Sequence, residues 1–137
     1  MERISVMKNV MFVCLDSTCS IVAEAWMRYI AKGAISVTSS GLSVGQVSPK
    51  FVQAMDEVDL NIRGMKTKLI SDYNPKDFDA VISLCNSNMR LSEDWMLRRV
   101  FDEWVLPQIQ DESLESYRQI RDDIRDKIDI LLMRYST

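Results

Sequence analysis

The stretch V-M-F-V-C-L-D-S-T-C-S-I-V-A-E-A, Val10 to Ala25, holds two cysteines, Cys14 and Cys19, where an apolar run gives way to a short polar loop and then to helical spacing. A loop between a strand's carboxyl end and a helix's amino end collects unpaired backbone N–H groups. The helix dipole adds partial positive charge, so oxyanions bind there. A cysteine at the start of such a loop feels the same field, which favours its thiolate and lowers its pKa. Cys14 has that position, and Cys19 adds a second thiol around one tight loop. Cys85 ends a later apolar run. A cysteine closing a buried strand can equally be a small hydrophobe, so position alone leaves both readings of Cys14 open. The chain has no histidine, which removes the commonest general base and leaves thiols and carboxylates to carry any chemistry.

The elements that must position these thiols follow from the apolar pattern. Asn9 to Leu15 reads as a strand buried on both faces, and Ile21, Val22, Ala25, Trp26, Tyr29 and Ile30 recur at helical spacing until Gly33 stops the helix. Ala34 to Ser39 predicts a second strand ending in a Ser39-Ser40-Gly41 turn. A helix over Lys50 to Val58 follows, with Pro49 in its first turn. Asp59 to Lys68 reads as loop, Leu69 to Tyr73 as a short helix or turn, and Ala80 to Cys85 as a third buried strand. Asn86 to Asp94 is polar loop and Arg99 to Leu106 a fourth strand. Ser113 to Tyr135 is a long helix whose apolar stripe is Leu114, Tyr117, Ile120, Ile124, Ile128, Leu131 and Tyr135. Such alternation predicts an α/β fold: three layers, with a four-stranded parallel sheet carrying helices on both faces and a ligand site at the strands' carboxyl ends. That rim brings together the loop after Leu15, the Ser39 to Gly41 turn and Cys85 to Asn88.

Composition bounds the function. The 137 residues predict one domain spanning 1–137, with 47% apolar and 27% charged residues as in ordinary soluble proteins. No signal peptide or run of membrane-spanning length is expected, and a soluble, cytoplasmic protein is. The net charge of −3, with cations scattered among acids, gives no basic stripe for nucleic acid. Three cysteines without histidine are too few for a four-coordinate zinc site. No metal and no cofactor are expected.

The stretch V-C-L-D-S-T-C-S-I-V-A-E-A resembles the signature loop of the low-molecular-weight protein tyrosine phosphatases and the arsenate reductases that share their fold. The likeness continues through S-S-G-L at Ser39 to Leu42, V-S-P at Val47 to Pro49, I-S-L-C at Ile82 to Cys85, F-D-E-W at Phe101 to Trp104 and the S-L-E-S-Y-R-Q-I-R opening of the last helix. It covers about Lys8 to Arg134. Among these families the glutaredoxin-linked, cyanobacterial-type arsenate reductases also carry I-S-L-C after the third strand. The resemblance implies a phosphate-binding loop with Cys14 at the nucleophile position and Leu15, Asp16, Ser17, Thr18 and Ser20 around it. It also implies thiol redox chemistry among Cys14, Cys19 and Cys85.

The departures are specific. The motif is C-x5-R, and the sixth residue after Cys14 is Ser20; aligning Ser20 with the family's serine instead implies that the arginine is deleted. An arginine grips an oxyanion through a planar bidentate fork that no neutral side chain replaces, and losing such a clamp costs several kcal/mol. Asp16 would repel a dianion and oppose ionisation of Cys14. Ser17 replaces the usual loop-bracing asparagine, and Gln108 stands where the family has its Asp-Pro acid, with Asp111 nearby in sequence. Ser87 stands where similar reductases carry a further cysteine.

These losses lead to the expectation of a catalytically degenerate pseudoenzyme, a binding or regulatory module open to thiol redox control. Its protein partner would dock on a rim including Met89 and Trp95. Glutaredoxin or thioredoxin would be the partner of a redox-active form. The alternative is a thiol-dependent arsenate reductase or phosphatase with residual activity, using Arg63, Lys66 or Lys68 as a substitute cation.

Overall fold

The computed structural model describes residues 7–84, 91–109 and 111–135. Strand β1 (Asn9–Cys14) leads into helix α1 (Thr18–Ala31), then come β2 (Ser36–Gly41), α2 (Pro49–Asp56), β3 (Ala80–Leu84), the single turn α3 (Glu93–Met96), β4 (Val100–Trp104) and α4 (Leu114–Tyr135). Two 3-10 turns, Ile70–Asp72 and Pro75–Asp77, bridge α2 and β3. The four strands pair in parallel in the order β2-β1-β3-β4. The predicted α/β architecture is therefore the observed one.

Alternation along β1 divides the core. Val10, Phe12 and Cys14 pack with Ile21, Val22 and Trp26 of α1, with Phe51 and Met55 of α2 and with Ile124 and Ile128 of α4. Met11 and Val13 face the other way, onto Ile70, Phe78, Val81, Leu91 and Trp95. Fully burying each such side chain contributes about 1.5–3 kcal/mol, so β1, central and covered twice, anchors the domain. One layer holds the three long helices; the other is built from short turns, loop and α3.

Local signals set the element ends. The Lys32 backbone turns left-handed at φ 51° and its N–H donates to Arg28 O, followed by Gly33 at φ 84°. Ser48 Oγ accepts the Lys50 N–H at 3.2 Å and Pro49 opens α2. Asp111 accepts from Ser113 N–H at 2.9 Å and Ser116 Oγ at 2.8 Å before α4. The predicted stripe of α4 faces the core, with Leu114 and Tyr135 at its half-buried ends.

Two expectations are corrected. Ser39, Ser40 and Gly41 are not a turn but the buried end of β2. Ser39 Oγ donates to Glu24 and Ser40 Oγ to Met11 Sδ, so small polar residues fill the interior with their hydroxyls satisfied. Trp95 does not line a rim; it is 6% exposed and stacks 5.6 Å from Phe78 in the second core. Met89 lies outside the described residues.

Candidate active site

Cys14 is the last residue of β1, and parallel pairing puts it beside Gly41 of β2 and Leu84 of β3. The loop that follows is held against β2 by its carbonyls: Leu42 N–H donates to Cys14 O, Ser43 N–H to Leu15 O and Gly45 N–H to Asp16 O, at 3.2, 2.9 and 2.9 Å. Gly41 permits this approach, since a Cβ there would run into the Ser17 amide nitrogen and the Ser43 carbonyl. Ser17 turns the chain at φ 69°, and its hydroxyl accepts the Lys68 N–H at 3.1 Å. Ser17 thus ties the loop after β1 to the loop before the first 3-10 turn.

The Cys14 sulfur sits at the head of α1. It accepts the Ser20 N–H at 3.4 Å, an amide of the first helical turn, and lies 3.4 Å from Ser20 Oγ, which itself donates to Ser40 O at 3.0 Å. Ser20 therefore stands where the motif's spacing would put an arginine, and its side chain meets the nucleophile rather than an anion. Asp16 Oδ1 accepts from Thr18 N–H at 3.1 Å and from Thr18 Oγ1 at 2.6 Å, and lies 3.9 Å from Cys14 Sγ. Leu15 points outward and is exposed.

Burial dominates the thiol's electrostatics. It pushes Cys14 above its ordinary pKa, and the Asp16 charge adds to the rise; both hydrogen bonds from Ser20 oppose it. Cys19 is pushed up to about 12, chiefly by burial and further by Cys14 and Asp16. Both cysteines are free thiols. The field of the helix terminus does not make Cys14 a resting thiolate, contrary to the simple expectation for that position.

The remaining candidates are placed as follows. Asp111 is committed to capping α4, and its two serine partners hold its pKa down to about 2, so it is no proton donor at neutral pH. Arg63 pairs with Asp56 through both guanidinium nitrogens. Lys68 reaches Glu24 at 3.7 Å, and Lys66 lines a groove of about 540 Å³ beside Gly45 and Thr67. Neither Arg63 nor Lys68 replaces the missing clamp. Cys85 lies outside the described residues, one position beyond Leu84, the register partner of Cys14.

Sequence reasoning missed Glu24. It is 2% exposed, accepts from Ser39 Oγ and pairs with Arg28 at 2.6 Å and Lys68 at 3.7 Å, tying α1 to β2 and to the loop that braces Ser17. The signal was the A-E at the end of the loop motif, which carried no contact partner by itself.

Comparison with known proteins fits this geometry. Residues 9–135 match the family model described as low molecular weight phosphotyrosine protein phosphatase. The chain belongs to that family. Among curated members it is 35% identical over 131 residues to the glutaredoxin arsenate reductase of Synechocystis sp., covering 95% of this chain and all of that one. It is 28% identical to an arsenate reductase of Staphylococcus xylosus, over 93% and 98% of the two chains. Among solved structures, an arsenate reductase in the phosphate binding state superposes with a TM-score of 0.88 at 34% identity. It covers 95% of this chain and all of that one. An arsenate reductase in oxidized state gives 0.85 at 35% over the same shares.

These relatives overturn the expectation of a degenerate, non-catalytic binding module. Full-length likeness is to proteins named as arsenate reductases. The inference from the missing arginine gave one side chain the whole task of the loop, whereas the sulfur meets the hydroxyl and the amide of Ser20.

Proposed function

We propose that the protein is a thiol-dependent arsenate reductase with Cys14 as its nucleophile. The observation that carries this reading is the seat of Cys14 Sγ on the Ser20 amide at the head of α1, in a chain matching arsenate reductases from end to end. The Cys14 sulfur bonds to arsenic as one As–O bond breaks and the oxygen leaves as water. A second thiol then attacks the Cys14 sulfur, and the S–As electron pair passes to arsenic, which falls from As(V) to As(III). The two sulfurs are left as a disulfide.

Cys19, with its pKa near 12, stays protonated at neutral pH and attacks slowly. Cys85, which follows Leu84 in the sequence, is then the second thiol of this reading. A glutaredoxin or thioredoxin would return the disulfide to thiols, as the name of the Synechocystis relative suggests. That chemistry suits a reducing cytoplasm, and among the described residues no helix is long and apolar enough to cross a membrane.

The test is arsenite formation, measured by chromatography with arsenic detection, from arsenate plus glutathione and glutaredoxin or thioredoxin. Turnover that disappears in Cys14→Ala and Cys85→Ser but persists in Cys19→Ser is expected. Wild-type turnover no greater than that of Cys14→Ala with either reductant would refute the reductase.

A further inference from the structure

A chain without histidine, with glutamine at the family's acid position and a buried thiol held above its ordinary pKa, needs a group that moves protons at the reacting sulfur. The carboxylate of Asp16 meets Cys14: Oδ1 lies 3.9 Å from Sγ, within reach of a thiol donor. We propose that Asp16 is the proton carrier of the Cys14 reaction, taking the thiol proton as sulfur attacks arsenic and giving it to the departing oxygen. This assignment rests on the reductase reading.

The step balances without another reactant. The S–H proton passes to Asp16 Oδ1 as the S–As bond forms, and one As–O bond breaks. The proton then joins the leaving oxygen, which departs as water, and Asp16 returns to its carboxylate. Neutralisation also resolves a conflict in the resting loop. There the Asp16 charge holds the Thr18 N–H and hydroxyl, donors of the first turn of α1, at 3.1 and 2.6 Å. Once protonated, the side chain no longer repels the anion, and its grip on both donors weakens, freeing them for arsenate oxygens.

The surroundings suit a carboxylate that changes partners. Gly45 backs it without a side chain; a Cβ built there would lie 3.2 Å from Oδ2. Gly45 is itself pinned by its N–H on Asp16 O and by Thr67 Oγ1 on its carbonyl at 3.0 Å. Among the described residues, the ionisable groups facing Asp16 are Cys14 from β1 and Cys19 from α1. Leu42 to Gly45 contribute none, and the Lys68 ammonium of the bracing loop is with Glu24.

The experiment uses the full chain and two readouts, arsenate turnover across pH and the rate of Cys14 alkylation by neutral iodoacetamide. Asp16→Asn keeps an oxygen acceptor for Thr18 and so keeps the loop. It removes a charge that opposes ionisation, so alkylation should hold or quicken, while turnover should fall about 100-fold or more, the usual scale of general acid–base catalysis. Added formate should restore part of the turnover of Asp16→Gly. If Asp16 merely repels substrate, Asp16→Asn will raise both rates; if it merely caps α1, both will stay unchanged. Either result overturns the proton carrier while leaving the reductase standing. A wild-type protein without Cys14-dependent turnover overturns both.

Discussion

Ser20 is the residue whose replacement should speak most directly about the nucleophile. Its hydroxyl has one proton, given in the resting state to Ser40 O at 3.0 Å, and its oxygen lies 3.4 Å from the thiol. When Cys14 ionises, that proton can turn to the sulfur, exchanging a neutral hydrogen bond for a charge-assisted one. A bond to a charged group is worth about 1.5–3 kcal/mol and a neutral one about 0.5–1.5. The exchange therefore favours the thiolate by about 1–1.5 kcal/mol, or about one pKa unit. The Ser20 amide, at the same 3.4 Å, is untouched by a side-chain change.

Ser20→Ala should then raise the Cys14 pKa, already pushed up by burial, by about one unit more and cut the thiolate present at neutral pH about tenfold. The assay is the iodoacetamide rate at Cys14, resolved by peptide mass spectrometry and followed from neutral to strongly alkaline pH. Its rising limb should move to higher pH in Ser20→Ala, with a similar plateau rate, and Ser20→Thr should stay near the wild type. An unchanged or lowered pKa in Ser20→Ala would refute the reasoning, because the thiolate would then owe nothing to the hydroxyl.

Other expectations follow from the same contacts. Gly41→Ala should cost about 1–3 kcal/mol or more in urea unfolding, because the new methyl meets loop backbone rather than a movable side chain. Asp111→Ala should lower the melting temperature through the lost α4 cap, worth about 1 kcal/mol, and leave the rate of Cys14 alkylation unchanged; a selective loss of alkylation or turnover would return it to the list of proton donors. Glu57 ties α2 to α4 through Arg118 and Arg121, and these partners depress its pKa from 4.5 to about 2. Its folded pKa lies below its unfolded one, so the contribution is complete above about pH 4.5 and is lost as pH falls toward 2. Urea titrations should show Glu57→Gln weakening the protein at neutral pH and flattening that acid limb.

The sheet and its long helices were legible because their signals are periodic. Val10 to Val13 are apolar at every position and Ala80 to Leu84 at every position but Ser83, as strands covered on both faces tend to be, and α4 shows its stripe at helical spacing. Ser39 to Gly41 was misread because serine and glycine are common in turns, whereas here their small size lets β2 lie close against the loop. Trp95 has no neighbours in a periodic pattern that could assign it to a face, and only its packing with Phe78 on one face of the sheet placed it inside. The position of Cys14 between the first strand and the first helix was legible from spacing and motif. Glu24 and the hydroxyl of Ser20 were not, because their roles depend on how α1 is rotated against β2.

The loop also shows why counting motif residues misjudged the site. An arginine at the sixth position would supply charge to the oxyanion; Ser20 in its place supplies two hydrogen-bonding groups to the sulfur. Positive potential for the substrate must then come from backbone amides at the head of α1, partial charges that fall off within the first turn and are smaller than a guanidinium's. Such a site gains more from lowering the negative charge around the substrate than from gripping it. The proton that leaves Cys14 for Asp16 does this at the reacting sulfur, since it turns the nearest carboxylate neutral as the thiolate forms. On that account the absent arginine and the present aspartate are coupled features. Asp16→Arg, made to restore a cation to the loop, should tighten arsenate binding yet turn over more slowly than the wild type. Tighter binding together with faster turnover would show that the two features are independent.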